Sequence, residues 1–172
     1  MKLKVREIVL FSVLGSLLSV SQIVLSFLPN IEVVTLLIIL FSIVYEQKAI
    51  YIVFVFIVTM GLIYGFGFWW IGYLILWPIL SISTCIVRKF IEGKYLILSI
   101  YSGIFGLLFG FFYAIPNIIF IGLNEGIAFW IAGIEFDIIH GVGNYFIMMF
   151  LGKKLIGLLN KLSSKYLATI KN

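Results

Sequence analysis

The sequence predicts an all-α integral membrane protein: a single domain over residues 1–172, built as a six-transmembrane-helix bundle with N- and C-termini cytoplasmic. Composition predicts the membrane, with 63% hydrophobic and 11% charged residues, against roughly a quarter charged in a soluble domain. One soluble core of this size could not hide so much apolar surface. Charge placement predicts the topology. All 12 basic residues fall into four patches: Lys2, Lys4 and Arg6; Lys48; Arg88, Lys89 and Lys94; and Lys153, Lys154, Lys161, Lys165 and Lys171. The turn candidates at 28–32, 65–72 and 122–129 contain no Lys or Arg. Cytoplasmic loops retain cations and exported loops lose them. The pattern therefore puts both termini inside and requires an even number of spans, and six fit.

Each span has its own signals. Span one, about 7–28, stops at Leu28-Pro29-Asn30, where Pro and Asn end a helix. The N-terminal MKLKVR lacks a following A-x-A cleavage site, so it reads as the start of this span and not as a signal peptide. Span two, about 32–46, ends at Glu46-Gln47-Lys48. Span three, about 49–65, runs into the Gly-aromatic stretch from Tyr64 to Trp70. Both are short beside the roughly 20 residues that a hydrocarbon core needs. Span four, about 71–87, contains Trp77-Pro78. Span five, about 95–121, carries Gly103, Gly106, Gly110 and Pro116, its glycines expected to pack internally. Span six, about 128–158, follows Leu123-Asn124-Glu125-Gly126 and is long enough to project into the cytoplasm.

Composition also excludes function classes. The net charge of +5 comes from residues flanking apolar spans, where anionic headgroups lie. No aromatic-basic interleaving marks a nucleic-acid partner. One cysteine, Cys85, excludes an internal disulfide framework and a thiolate metal cluster. The lone His140 with scattered carboxylates lacks metal-ligand spacing. With no G-x-S-x-G and no nucleophile beside His140, hydrolase chemistry is not expected. Neither a metal nor a cofactor is expected.

Three residue patterns carry functional readings. On span one, Ser12, Gly15, Ser16 and Ser19 form small-xxx-small pairs that let helix backbones approach closely in lipid, for internal packing or for docking another membrane protein. On the outward side, Phe66, Phe68, Trp69, Trp70, Tyr73 and Trp77 are an interfacial aromatic belt or a stacking platform. Trp70, Tyr73 and Trp77 recur at helical spacing on one stripe, and Phe111, Tyr113, Pro116 and Asn117 are expected at the same depth. On span six, Trp130, Gly133, Asp137, His140, Gly141 and Asn144 share a helical face, with Glu135 nearby but off the stripe. Ionisable residues inside a span are functional candidates by default, although Asp137 and His140 could simply pair with each other.

With these residues the chain resembles the substrate-binding S component of an energy-coupling factor (ECF) transporter, a small six-helix bacterial membrane protein that takes up vitamins and related micronutrients. The resemblance runs along nearly the whole chain: the L-P-N-I-E turn at 28–32, the Gly-aromatic loop leading into Trp77-Pro78, S-G-I-F-G-L-L-F-G at 102–110, and G-I-E-F-D-I-I-H-G-V-G-N at 133–144. It implies a multi-pass protein of the bacterial plasma membrane that is not an enzyme. It implies as partners a transmembrane T component, docked on the span-one small face where the family has A-x-x-x-A, and two ATPase subunits. This sequence has no G-x-x-x-x-G-K-[ST] of its own. The nickel and cobalt members begin with a Met-His segment that Met1-Lys2-Leu3 does not match.

The resemblance further implies an outward pocket between loops and outer helix halves, at Asn30, Glu32, Trp69, Trp70, Tyr73, Trp77, Tyr113, Asn117, Trp130, Glu135, Asp137, His140 and Asn144. Charges on that side are only acidic, at Glu32, Glu125, Glu135 and Asp137. With aromatic faces they favour a neutral or cationic heteroaromatic ligand. Thiamine or its pyrimidine precursor, a pyridoxine-type compound or a queuosine precursor fits. Two alternatives stand beside this reading: a membrane-embedded enzyme using Asp137, His140 and Glu135, and a membrane assembly subunit with no ligand.

Overall fold

A computed structural model describes residues 3–28 and 30–168. Lys2, Lys171 and Pro29, which entered the charge and turn arguments, lie outside the described residues. Among those described, the fold is helical throughout. In order come α1 (Val5–Leu25), α2 (Val34–Tyr45), a 3₁₀ turn at Glu46–Lys48, α3 (Ala49–Tyr64), α4 (Phe68–Ile91), α5 (Tyr95–Leu107), α6 (Phe109–Phe120) and α7 (Leu123–Ala168). Five stretches are long and apolar enough to cross a membrane: Val5–Leu25, Val34–Tyr64, Phe68–Ile91, Tyr95–Phe120 and Leu123–Tyr166. Val5, Leu62, Ile86 and Phe90 are each more than 70% exposed. A surface studded with such side chains suits lipid, not water.

Cross-helix contacts fix the direction of each element. The Phe11 ring meets Tyr45 at 5.4 Å, so the start of α1 lies beside the end of α2. The Glu7–Lys48 ion pair at 2.5 Å then sets the start of α3 at the same end. α1 and α3 therefore run together, α2 runs against both, and the chain reverses at 46–48, where Glu46 takes a φ of 53°. On α4, Trp70 Nε1 donates to Ile57 O at 2.9 Å, and Ser81 bonds Ser42 at 2.9 Å, so α4 opposes α3 and follows α2. One end of the bundle thus collects Lys4, Arg6, Lys48, Arg88, Lys89 and Lys94. Lys153 joins them, lying 5.9 Å from the centre of the Tyr95 ring. Glu46 and Glu92 both pair with Arg88 there.

α2 explains how so short a helix is stable in this setting. Its 12 residues span about 18 Å at 1.5 Å per residue, well under the roughly 30 Å of a hydrocarbon core. Yet it is buried on every side, from Val34 and Leu36 through Phe41 to Tyr45. A helix wrapped by its neighbours is apolar all round, and its length is not set by lipid thickness. α7 is the opposite case. Its 46 residues reach about 69 Å, about twice the hydrocarbon thickness.

The span expected at 95–121 is broken. α5 and α6 are separated at Leu108, and just beyond it the Gly110 N–H donates to Asp137 Oδ1 at 2.8 Å. Glycines hold the pair against α7. A Cβ on Gly106 would lie 2.8 Å from Gly141 Cα, and one on Gly141 would lie 3.0 Å from Gly103 O. Helix backbones can approach this closely in lipid only where side chains are small.

The small face of α1 divides in two. Gly15 and Ser19 are buried, and a Cβ on Gly15 would meet Val55 Cγ1 at 2.5 Å and Ile52 O at 2.9 Å. Gly15 serves the α1–α3 contact, Ser19 bonds back to Gly15 O within α1, and neither is open to an external partner. Ser12 and Ser16 are exposed. The expected outcome follows directly. Gly15→Leu overpacks the contact, at a cost of about 1–3 kcal/mol or more, and lowers the melting temperature measured in detergent. Ser16→Leu leaves it within error. Equal effects would contradict this division.

Candidate functional site

At the end opposite the basic residues, the loop between α1 and α2 folds over the bundle. Asn30 sits at a φ of 57°, a left-handed conformation that Asn tolerates better than most residues. This turn delivers Glu32 to two partners. Its Oε2 accepts the Thr35 N–H at 2.8 Å in the first turn of α2, and its Oε1 meets His140 Nε2 at 3.0 Å. A carboxylate at a helix N-terminus satisfies an otherwise orphaned donor and faces the positive end of the helix dipole. His140, on α7, is only 3% exposed and rests against the Phe109 ring, with centroids 4.6 Å apart. Burial pushes the Glu32 pKa up, but the bonds from His140 and Thr35 outweigh it and hold the carboxyl below its ordinary range.

Beneath this lid-like turn is a cavity of about 280 Å³, walled by Gln22, Leu25, Ser26 and Leu28 of α1 and its following turn, by Asn30, Ile31, Glu32 and Val34, and by Tyr73, Trp77, Phe109 and His140. A second lobe of about 460 Å³ adjoins it, lined by Gln22, Ser26, Met60, Tyr64, Trp69 and Tyr73. Gln22, Ser26 and Tyr73 belong to both lobes. Aromatic rings form the far wall. Tyr73 stands edge-on between Trp69 at 5.1 Å and Trp77 at 5.6 Å, while Phe109 stacks on Tyr113 at 5.5 Å and 14°. The Gln22 amide donates to the Tyr73 hydroxyl, which fixes that ring from the α1 side.

The residues expected at a site therefore sort into groups. Asn30, Glu32, Tyr73, Trp77 and His140 wall the main cavity, and Trp69 lines the second lobe. Tyr113 stands one layer behind, donating to Trp69 O at 2.5 Å, and Asn117 donates to Tyr113 O at 3.4 Å. Trp70 braces α3 against α4 through Ile57 and packs edge-on to Phe66 at 5.0 Å. Trp130 packs on the half-exposed Phe111 at 5.4 Å, and Glu135 is exposed. Neither lines the cavity. Asp137 and Asn144 are buried deeper in the bundle. The hydrogen-bond partner of His140 is Glu32, and Asp137 instead receives Gly110.

Gln22, Ser26 and Phe109 are cavity residues that sequence reasoning did not single out. Gln22 had a usable signal, an amide in the half of a largely apolar span away from the basic residues. Among the described residues, no three His, Cys, Asp or Glu side chains group to hold a metal ion. The chemistry available is stacking, neutral hydrogen bonding and one internally paired charge. Comparisons with known protein families, with characterised proteins and with solved structures found no match.

The Glu32 contacts have a pH signature. A carboxyl whose folded pKa is depressed stabilises the fold above its unfolded value of about 4.3, and that contribution is lost as pH falls through the folded value. Thermal melts should therefore separate wild type from Glu32→Gln at pH 6–7, with the two curves converging in acid below about pH 4. A constant separation across that range would show that Glu32 is not held ionised by His140 and Thr35.

Proposed function

We propose that this protein is the substrate-binding membrane component of an ECF-type importer, which captures a vitamin-like heteroaromatic from outside and releases it inward with an ATPase-driven T component. The observation that carries this reading is the aromatic-walled cavity at the end of the bundle opposite the basic residues. Ligand sites of this kind are concave and mostly apolar with a few convergent polar groups.

Topology supports the same reading. With the reversal at 46–48, Val34–Tyr64 counts as two passes, and the bent pair α5 and α6 counts as one. The bundle then makes six crossings, with both termini at the basic end. By the charge rule that end is cytoplasmic, and the cavity opens outward. The exposed Ser12 and Ser16, beside the exposed Val9 and Val13, offer α1 as a flat face on which a T-component helix docks. ATP hydrolysis falls to two partner subunits. The acid–base alternative draws less support. Asp137 is engaged by the Gly110 N–H at the start of α6, and Glu135 lies apart from His140 on the exposed surface.

The test is binding by the purified protein. Native mass spectrometry and thermal shift against water-soluble vitamins and their precursors should reveal one retained compound. Trp69→Ala removes stacking area worth roughly 1–3 kcal/mol, so affinity should fall about 5- to 150-fold. Trp130→Ala, away from the cavity, should leave affinity unchanged. Loss in Trp130→Ala without loss in Trp69→Ala would move the site, and steady turnover of a retained compound would replace transport with catalysis.

A further inference from the structure

We infer that the ligand of this cavity is an uncharged heterocycle, recognised by stacking and by neutral hydrogen bonds, with no net charge for the protein to balance. The inference rests on the ligand-binding role proposed for the cavity, and narrows it.

The charge inventory of the walls is short. Among the described residues, the acidic and basic side chains lining the two lobes are Glu32 and His140, and they bond to each other at 3.0 Å. Neither oxygen of Glu32 is uncommitted, because the second accepts the Thr35 N–H at the start of α2. Asp137, one turn from His140 on α7, does not line either lobe. Its Oδ1 receives the Gly110 N–H at the start of α6, at 2.8 Å. Each helix N-terminus carries about half a positive charge, so Glu32 is matched within the protein, while Asp137, whose Oδ2 is buried without a hydrogen-bond partner, stands outside both linings. Glu125 and Glu135 are exposed and stand outside both linings. The basic side chains from Lys4 to Lys94 and Lys153 gather at the far end of the bundle.

A cationic ligand would thus find no free carboxylate, and an anionic one no Lys or Arg. Burying a net charge without a counter-charge costs several kcal/mol even after relaxation. Besides the ring nitrogen His140 Nδ1, what the walls leave unmatched is one acceptor and one donor on uncharged side chains. Gln22 Oε1, an acceptor, and Trp77 Nε1, a donor, are buried without a hydrogen-bond partner. Unpaired buried groups of this kind are costly, and both side chains line the main cavity. One asks for a donor and the other for an acceptor. A ring bearing amide, lactam or ring-nitrogen groups supplies both while stacking on Tyr73 and Trp77.

The experiment compares three pools on the purified protein at neutral pH by native mass spectrometry. One holds uncharged ring amides and lactams (nicotinamide, thymine, guanine and lumichrome). The second holds cations, 1-methylnicotinamide and thiamine. The third holds carboxylates, nicotinate and biotin. Any mass that copurifies is identified and assigned to a class. The expected result is retention from the uncharged class, with a charged counterpart of the same ring bound about a hundredfold or more weakly. Preferred retention of a quaternary cation or of a carboxylate overturns this inference and leaves the transport reading standing. Retention of nothing from any pool, with no copurified mass, removes the transport reading and this inference with it.

Discussion

Glu32 and His140 are 108 residues apart in sequence and 3.0 Å apart in space. The cavity depends on that contact. In a bundle whose surroundings are apolar, a buried polar group that lacks a partner is expensive, so each one constrains where the chain can go. Glu32 must reach both the start of α2 and His140, which draws the α1–α2 turn down over the bundle. Asp137 must reach the Gly110 N–H, and the neighbouring Phe109 rests beside His140. Two carboxylates at two helix starts therefore position one side of the cavity. The aromatic wall on α4 completes it.

The two ends of the molecule divide the work. At the basic end, ion pairs such as Glu7–Lys48 and Arg88–Glu46 join the helices where they leave the apolar layer. At the other end the helices separate enough to leave room between α1, α4 and α6. Close packing is concentrated where glycines permit it, between α5 and α7 at Gly103, Gly106 and Gly141 and between α1 and α3 at Gly15. The rigid contacts thus lie along the helices, and the open volume is left under a single turn.

The all-helical, membrane-type class of fold was legible because it depends on a sum, the total apolar content. The aromatic stripe at Tyr73 and Trp77 was legible because helical spacing fixes which side chains share a face. What the sequence hid was pairwise and long-range. Nothing local distinguishes Trp77, which walls the cavity, from Trp70, whose indole braces Ile57. Helical periodicity put Asp137 beside His140 but could not show that Glu32, on a distant turn, outcompetes it. The contact beside Leu108 was hidden too, since it is made by a side chain 27 residues beyond Gly110. Likewise Ser16 and Gly15 look alike as small residues, and only the position of α3 makes one exposed and the other buried.

The central claim is that the cavity opens to the outside while the basic end faces the cytoplasm. Cys85 is the one native cysteine, so a Cys85→Ser background allows single reporters. Ser26→Cys sits on the wall shared by both lobes, and Lys161→Cys sits near the end of α7. In intact cells a membrane-impermeant maleimide should label Ser26→Cys, and should reach Lys161→Cys only after permeabilisation. Labelling of Lys161→Cys in intact cells, with Ser26→Cys protected until permeabilisation, would invert the protein and contradict the account.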